Sequence, residues 1–259
     1  MKKIYYLTGL PRSGNTLLGS LLNQNPKVQV TANSIVSDIL WNLNNLKTHR
    51  TFLNFPDSLS YDNVLNNVIS NYYKDWNYEI ILDRSSWGSP NNLKLLKKYC
   101  PNEIKFVVLV RDIQDIIASF IKWSEENKPN FLDEETDGTR ESKCKHLMRE
   151  DLQIVQSYCS IYNVIKSGYP YYLIEYDNLI SKPQEILSSL YEFLDMKVYP
   201  HNFTNLKQFS SNNNEYDDSV VGINLHHIKT NRIEKTQYEV SKYISEELLS
   251  YYSTLNFWK

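Results

Sequence analysis

The sequence predicts an α/β fold, a central parallel sheet flanked by helices. Three observations carry that prediction. Strand-length apolar runs alternate with stretches of helical periodicity as far as Asp195; the runs are nearly continuous in apolar character; and the first passes into a helix through a turn rich in Gly, Pro and Ser. A strand covered on both faces needs apolar side chains in both directions, as in a parallel sheet with helices above and below it.

In order along the chain, Lys3 to Thr8 reads as a buried strand, and a helix follows from about Asn15 to Asn23. Val28 to Thr31 is a second strand and Ser34 to Leu46 a helix. Lys47 to Ser60 reads as loop, punctuated by Pro56. Tyr61 to Trp76 carries Val64, Leu65, Val68, Ile69 and Tyr72 at helical spacing. Glu79 to Leu82 is a strand, Asn91 to Tyr99 a helix, Lys105 to Val110 a strand, and Asp112 to Trp123 a helix.

The acidic stretch Glu125 to Glu141 reads as a surface connection, with a sharper reading that it borders the entrance to a site and favours cationic or neutral ligands over polyanions. Ser142 to Lys166 reads as one long helix with a stripe through Leu147, Ile154, Tyr158, Ile161 and Ile165. Tyr171 to Tyr176 is the last clear strand, followed by a helix from Pro183 to Leu194. Beyond it come a polar, Asn-rich stretch, a basic stretch from His226 to Ile233, and a terminal helix over Glu239 to Thr254. With no repeat or long linker, residues 1–259 read as one domain: a core over 1–195 carrying the site, and a C-terminal cap over 196–259.

Lys and Arg total 28 against 30 Asp and Glu, a formal charge of −2. That excludes a whole-molecule attraction to nucleic acid or anionic membrane, so an anionic ligand must be held by a local set of donors. Cys100, Cys144 and Cys159 form neither a CxxC pair nor a metal-ligand spacing. Apolar residues begin at Ile4 and the first turn arrives at Gly9, leaving no signal peptide or membrane span ahead of the first strand. A cytoplasmic monomer or homodimer is expected.

Gly9-Leu10-Pro11-Arg12-Ser13-Gly14-Asn15-Thr16 sits between a strand and a helix, where backbone N–H groups and the helix N-terminus make an anion cradle. Pro11, Arg12, Ser13, Gly14, Asn15 and Thr16 are the expected ligand-holding residues, with the Ser13 and Thr16 hydroxyls as extra donors. The spacing is that of a phosphate-binding P-loop, but Asn15 stands where nucleotide hydrolases carry lysine, and the cation has moved to Arg12.

The second signal is the strand ending in Arg111, with Ser119 about two helical turns further on. A guanidinium at a strand's C-terminal edge and a hydroxyl on the next helix can share one phosphate.

Together these segments resemble the sulfotransferase family, with a first loop closer to its bacterial and protein-tyrosine members. The resemblance implies a three-layer, P-loop-like architecture and Arg111 with Ser119 as the 3′-phosphate pair. Ile174 to Ile180 resembles the family's segment whose tyrosine lies at the adenine, which points to Tyr176. The implied reaction moves a sulfuryl group from 3′-phosphoadenosine 5′-phosphosulfate (PAPS) to a hydroxyl or amine. It leaves adenosine 3′,5′-bisphosphate (PAP), with no metal, and the acceptor is a small molecule, a carbohydrate or a peptide.

Asp83-Arg84 follows a strand where family members often carry a lysine. Arg84 reads either as the cation at the sulfate or 5′-phosphate, or as a local partner of Asp83. Lys229 and Arg232, in the basic stretch, read either as a cover for the 3′-phosphate or as a solvated turn. A general base must be a carboxylate or imidazole within reach of the acceptor. The protein-tyrosine members carry a Glu near the position of Asn33, which cannot act as a base, so Asp38 and His49 are the substitutes. Two rival readings stand beside this one: a P-loop kinase, disfavoured by the missing lysine, and a non-catalytic nucleotide-binding module on the same fold.

Overall fold

The computed structural model describes residues 2–100, 103–220, 225–234 and 238–259. The elements run β1 (Lys3–Gly9), α1 (Asn15–Leu22), β2 (Val28–Val30), α2 (Val36–Asn45), α3 (Arg50–Asn54), α4 (Ser58–Tyr72), β3 (Ile80–Arg84) and α5 (Pro90–Tyr99). They continue with β4 (Phe106–Val110), α6 (Ile113–Glu126), α7 (Phe131–Glu134), α8 (Arg140–Leu147), α9 (Gln153–Lys166), β5 (Tyr171–Glu175), α10 (Tyr176–Ser181), α11 (Pro183–Phe193) and α12 (Glu246–Ser253).

The five strands form one parallel sheet in the order β2-β3-β1-β4-β5. Successive strand side chains point to opposite faces, and both faces are buried. Tyr6, Phe106, Val108 and Val110 join Leu40, Leu65, Leu96, Ile117 and Ile161 on one face. Tyr5, Leu7, Leu82, Val107 and Leu109 meet Leu18, Leu21, Leu187 and Leu190 on the other. The helices therefore lie in two layers, with α1 and α11 opposite α2, α4, α5, α6 and α9. This is the expected α/β architecture.

Several boundaries differ from the sequence reading. The stretch read as loop from Lys47 to Ser60 holds α3 and the start of α4. His49 caps α3 by accepting the Thr51 N–H at 3.3 Å, and Asp57 caps α4 by accepting the Ser60 N–H at 3.1 Å. The long helix over Ser142 to Lys166 is two helices broken at 148–152. Leu147 and Ile154 are seven residues apart, so the apolar stripe keeps its phase across the break and conceals it.

The acidic connection is partly helical and tied down. Glu125 pairs with Arg140 at 2.6 Å, Asp133 with buried Lys143, and Glu135 with buried His146 at 3.2 Å. These carboxylates face two cations and an imidazole on the neighbouring helix. The last strand stops at Glu175, and the terminal helix starts at Glu246. No helix among the described residues is long and apolar enough to cross a membrane.

Candidate functional site

Strand order reverses at β1, which has β3 on one side and β4 on the other. The helices that follow β1 and β4 leave toward opposite faces of the sheet, and a crevice opens between them at the C-terminal strand ends. Each strand end there delivers one part of the site: the loop after β1, Arg84 at the end of β3, Arg111 just after β4, and Tyr176 just after β5. All border a cavity of about 550 Å³.

The loop is shaped by two residues in the left-handed region, Arg12 (φ 60°) and Gly14 (φ 88°). Gly14 is required twice over. Its φ suits glycine, and a Cβ there would lie 3.0 Å from Cδ2 of the Tyr176 ring. Pro11, Arg12, Gly14, Asn15 and Thr16 line the cavity.

Ser13 does not line it. Its N–H and hydroxyl both donate to the Leu10 carbonyl, at 3.4 and 2.6 Å, in a fully buried position. The Asn15 amide also donates to that carbonyl, at 2.8 Å, and to Ser13 Oγ at 3.2 Å. The residue in the lysine position thus pins the loop from inside, adding a third donor to a carbonyl that Ser13 already serves. Ser13 supplies the same service instead of the cavity-facing donor expected of it.

Arg111 is 6% exposed. Its Nη1 donates to the Arg12 carbonyl at 3.0 Å, its Nε pairs with Asp115 at 3.8 Å, and its guanidinium carbon stands 4.2 Å from the Tyr176 ring centre. Its Nη2 is buried with no hydrogen-bond partner. Ser119 Oγ accepts from Arg12 Nε at 3.1 Å and from the Tyr238 hydroxyl at 3.0 Å. Arg12 Nη1 donates to the Leu225 carbonyl at 2.5 Å. Burial lowers the Arg12 pKa; the Tyr238 hydroxyl opposes that, and the Arg111 charge adds to it. Two guanidinium groups kept this close and this dry favour an anion between them.

On the β3 side, Arg84 Nη1 donates to the Ala32 carbonyl (3.0 Å), Asn33 Oδ1 (2.9 Å) and the Tyr216 hydroxyl (3.1 Å). Asp83 is turned away, wholly buried, and accepts from the Tyr73 hydroxyl at 2.6 Å and Trp87 Nε1 at 3.1 Å. The two neighbours are not a surface pair.

The Tyr216 ring stacks on His226, centroids 3.8 Å apart and planes 1° from parallel. His226 Nδ1 lies 2.5 Å from Asp218 Oδ1, and the His226 N–H donates to Asp218 Oδ2 at 3.1 Å. Burial lowers the His226 pKa; Asp218 partly offsets this, and the charges of Arg84 and Arg12 lower it further. Burial raises the Asp218 pKa, but the hydrogen bonds from His226 outweigh it and the carboxylate ends below its ordinary value. An ionised carboxylate can only accept, so Nδ1–H donates to Asp218, and in the neutral ring Nε2 is the basic nitrogen. His226 lines the cavity.

A model of the sulfotransferase family matches residues 6–200. The chain belongs to the sulfotransferase family. Among solved structures, this sulfotransferase chain is similar to the sulfotransferase domain from the curacin biosynthetic pathway: TM-score 0.54, 16% identity, covering 96% of this chain and 97% of that one. It is similar to the sulfotransferase domain of the Synechococcus PCC 7002 olefin synthase, at TM-score 0.53 and 16% identity over 89% and 84% of the two chains. Mouse sulfotransferase SULT7A1, solved in complex with PAP, gives TM-score 0.56 and 12% identity over 98% and 83%. At such identities the likeness is one of fold. No curated protein sequence matches.

In this member of the family, the cavity brings together Arg84, Arg111, Ser119, Tyr176, Lys229 and Arg232 with the loop, as the sequence grouped them. Asp38 and His49 are both exposed and do not line it. Asp38 lies in the first turn of α2, and the His49 ring is engaged in capping α3. Sequence reasoning missed Tyr216, Asp218, Tyr238 and the inward part played by Asn15. It also took His226 only as one of several basic residues. Two aspartates at 217 and 218 followed by two histidines at 226 and 227 were the available signal. Among the described residues, no group of three or more His, Cys, Asp and Glu stands close enough to hold a metal ion.

Proposed function

We propose that this chain, acting as one sulfotransferase domain, moves a sulfuryl group from PAPS to a hydroxyl or amine of its acceptor without a metal. The observation that carries this reading is Arg111: a buried guanidinium with an unpartnered Nη2, on a residue that lines the same cavity as the loop after β1. Leaving a charge-bearing donor buried and unpaired is costly, and a phosphate oxygen there would satisfy it.

The residues fit PAPS. Arg12, Gly14, Asn15 and Thr16 at the start of α1 would hold its 5′-phosphosulfate, Arg111 and Ser119 its 3′-phosphate, and Tyr176 its adenine. Bound there, PAPS supplies an activated sulfuryl group on a bridging oxygen. Arg12 and the loop N–H groups stabilise negative charge at that end of the cavity, with Arg84 beside them.

His226, held by Asp218 and stacked on Tyr216, takes the acceptor proton at Nε2. It replaces Asp38 and His49 as the candidate base because it alone of the three lines the cavity and has its second nitrogen fixed by a carboxylate.

Titration calorimetry with PAP in chelator, and with ATP plus magnesium, tests the ligand. PAP should bind without metal, and ATP far more weakly. Transfer of radiolabelled sulfate from PAPS to a panel of phenols, alcohols and amines tests the chemistry. Tight ATP binding with magnesium would overturn the sulfotransferase reading, and PAP binding without transfer to any acceptor would leave a binding module.

A further inference from the structure

The cations expected over the 3′-phosphate are already paired by the chain itself, both with one carboxylate. Lys229 Nζ donates to Glu234 Oε2 at 2.8 Å, and the Arg232 guanidinium donates to Oε1 of the same carboxylate. The Lys229 and Arg232 side chains are 65% and 73% exposed, and that of Glu234 is 29% exposed. The acid is thus the sheltered member and the cations the outer ones. All three border the cavity with Arg111 and Ser119.

Two more polar groups of the cavity are engaged from the C-terminal part of the chain: Arg12 Nη1 donates to the Leu225 carbonyl, and Ser119 Oγ accepts from the Tyr238 hydroxyl. A carboxylate bridging a lysine and an arginine presents the charge and oxygen spacing of a phosphate edge. A ligand phosphate that takes those cations must first break two existing ion pairs, so its binding is an exchange and its net gain is small.

We propose that Glu234 is a built-in competitor of the 3′-phosphate, which weakens the hold of Lys229 and Arg232 on PAP and so speeds its release. This rests on the sulfotransferase reading and on a 3′-phosphate lying at these cations.

The test measures affinities of PAP and of adenosine 5′-phosphate for the wild type and for Glu234→Gln, together with PAP dissociation rates by stopped flow. Glu234→Gln should bind PAP about fivefold more tightly, the size of an exposed ion pair, and release it correspondingly more slowly. Adenosine 5′-phosphate, lacking the 3′ group, should be unaffected. In a Lys229→Gln/Arg232→Gln background the gain should vanish, because the carboxylate then has no cations to withhold. Wild-type PAP binding with unchanged or weakened affinity in Glu234→Gln, or an equal gain for both ligands, overturns this inference alone. A wild type that binds neither ligand overturns the functional reading and the inference with it.

Discussion

The Arg111 guanidinium stacks 4.2 Å from the centre of the Tyr176 ring, and that ring closes on Gly14 in the loop after β1. One aromatic ring therefore ties the end of β4 to the anion cradle and holds the arginine fork in a fixed direction.

From this follows a ligand-specific loss. Arg111→Ala should weaken PAP binding by about 2–5 kcal/mol, as when one partner of a desolvated charge pair is removed. Adenosine 5′-phosphate should lose much less. Arg111→Lys should recover only part of the loss, since an ammonium cannot fork onto two oxygens. Arg12→Ala should instead reduce transfer more than binding, by roughly 10²–10³-fold as for loss of one donor to a developing negative charge. Calorimetry and turnover on the same variants separate the two patterns.

Two glycines offer a matched comparison for stability. Gly14 (φ 88°) and Gly138 (φ 81°) share a left-handed backbone, but a Cβ at Gly138 meets nothing within 4 Å. Gly138→Ala should cost about 1–2 kcal/mol of conformational strain alone. Gly14→Ala should cost more, because the Tyr176 ring must move, and should also lose PAP affinity. Urea unfolding of both variants measures the difference.

The His226–Asp218 pair predicts the acid limb of the rate profile. As the proposed base, His226 works as neutral imidazole, and burial holds its pKa below 6.5. The rate with a responsive acceptor should be flat at pH 7 and fall only as pH drops below the ordinary histidine range. Asp218→Asn removes an influence that raises that pKa, so the limb should move to still lower pH while the plateau falls. His226→Gln should lower the plateau by roughly 10²–10⁴-fold with PAP affinity kept within a few-fold. A limb unmoved in both variants would place the base elsewhere.

Asp83 predicts a stability effect of opposite sense to an ordinary ion-paired carboxylate. Burial pushes its pKa up from 3.8 to about 6, against the hydrogen bonds from Tyr73 and Trp87. A raised folded-state pKa means the fold favours the protonated form. The contribution is present below pH 4 and declines by roughly 1.4 kcal/mol per pH unit until about pH 6. Chemical denaturation of wild type and Asp83→Asn between pH 4 and 7 should show the wild type losing stability relative to the variant over that interval.

The strand-end residues were legible in the sequence because each is fixed by an apolar run. Arg111 follows Val110 directly, and the loop follows β1, so their places depend only on where a strand stops. His226 and Asp218 follow no such rule. They lie in a polar stretch with no periodicity, and only tertiary contacts, through Tyr216 to Arg84, set them at the site. Asn15 shows a third case. Its identity signalled the absence of a lysine, but whether its amide faced the cavity or the Leu10 carbonyl depends on loop curvature that residue types do not disclose.

Because the crevice draws on the loop after β1, the ends of β3, β4 and β5, and the stretch around His226, no contiguous fragment of the chain contains it. A ligand there recognises only the assembled molecule, so mass action makes it a thermodynamic clamp on folding as a whole. PAP at a hundred times its dissociation constant would deepen the native well by about 2.7 kcal/mol. A thermal melt would then register occupancy of the proposed PAP site with no acceptor present.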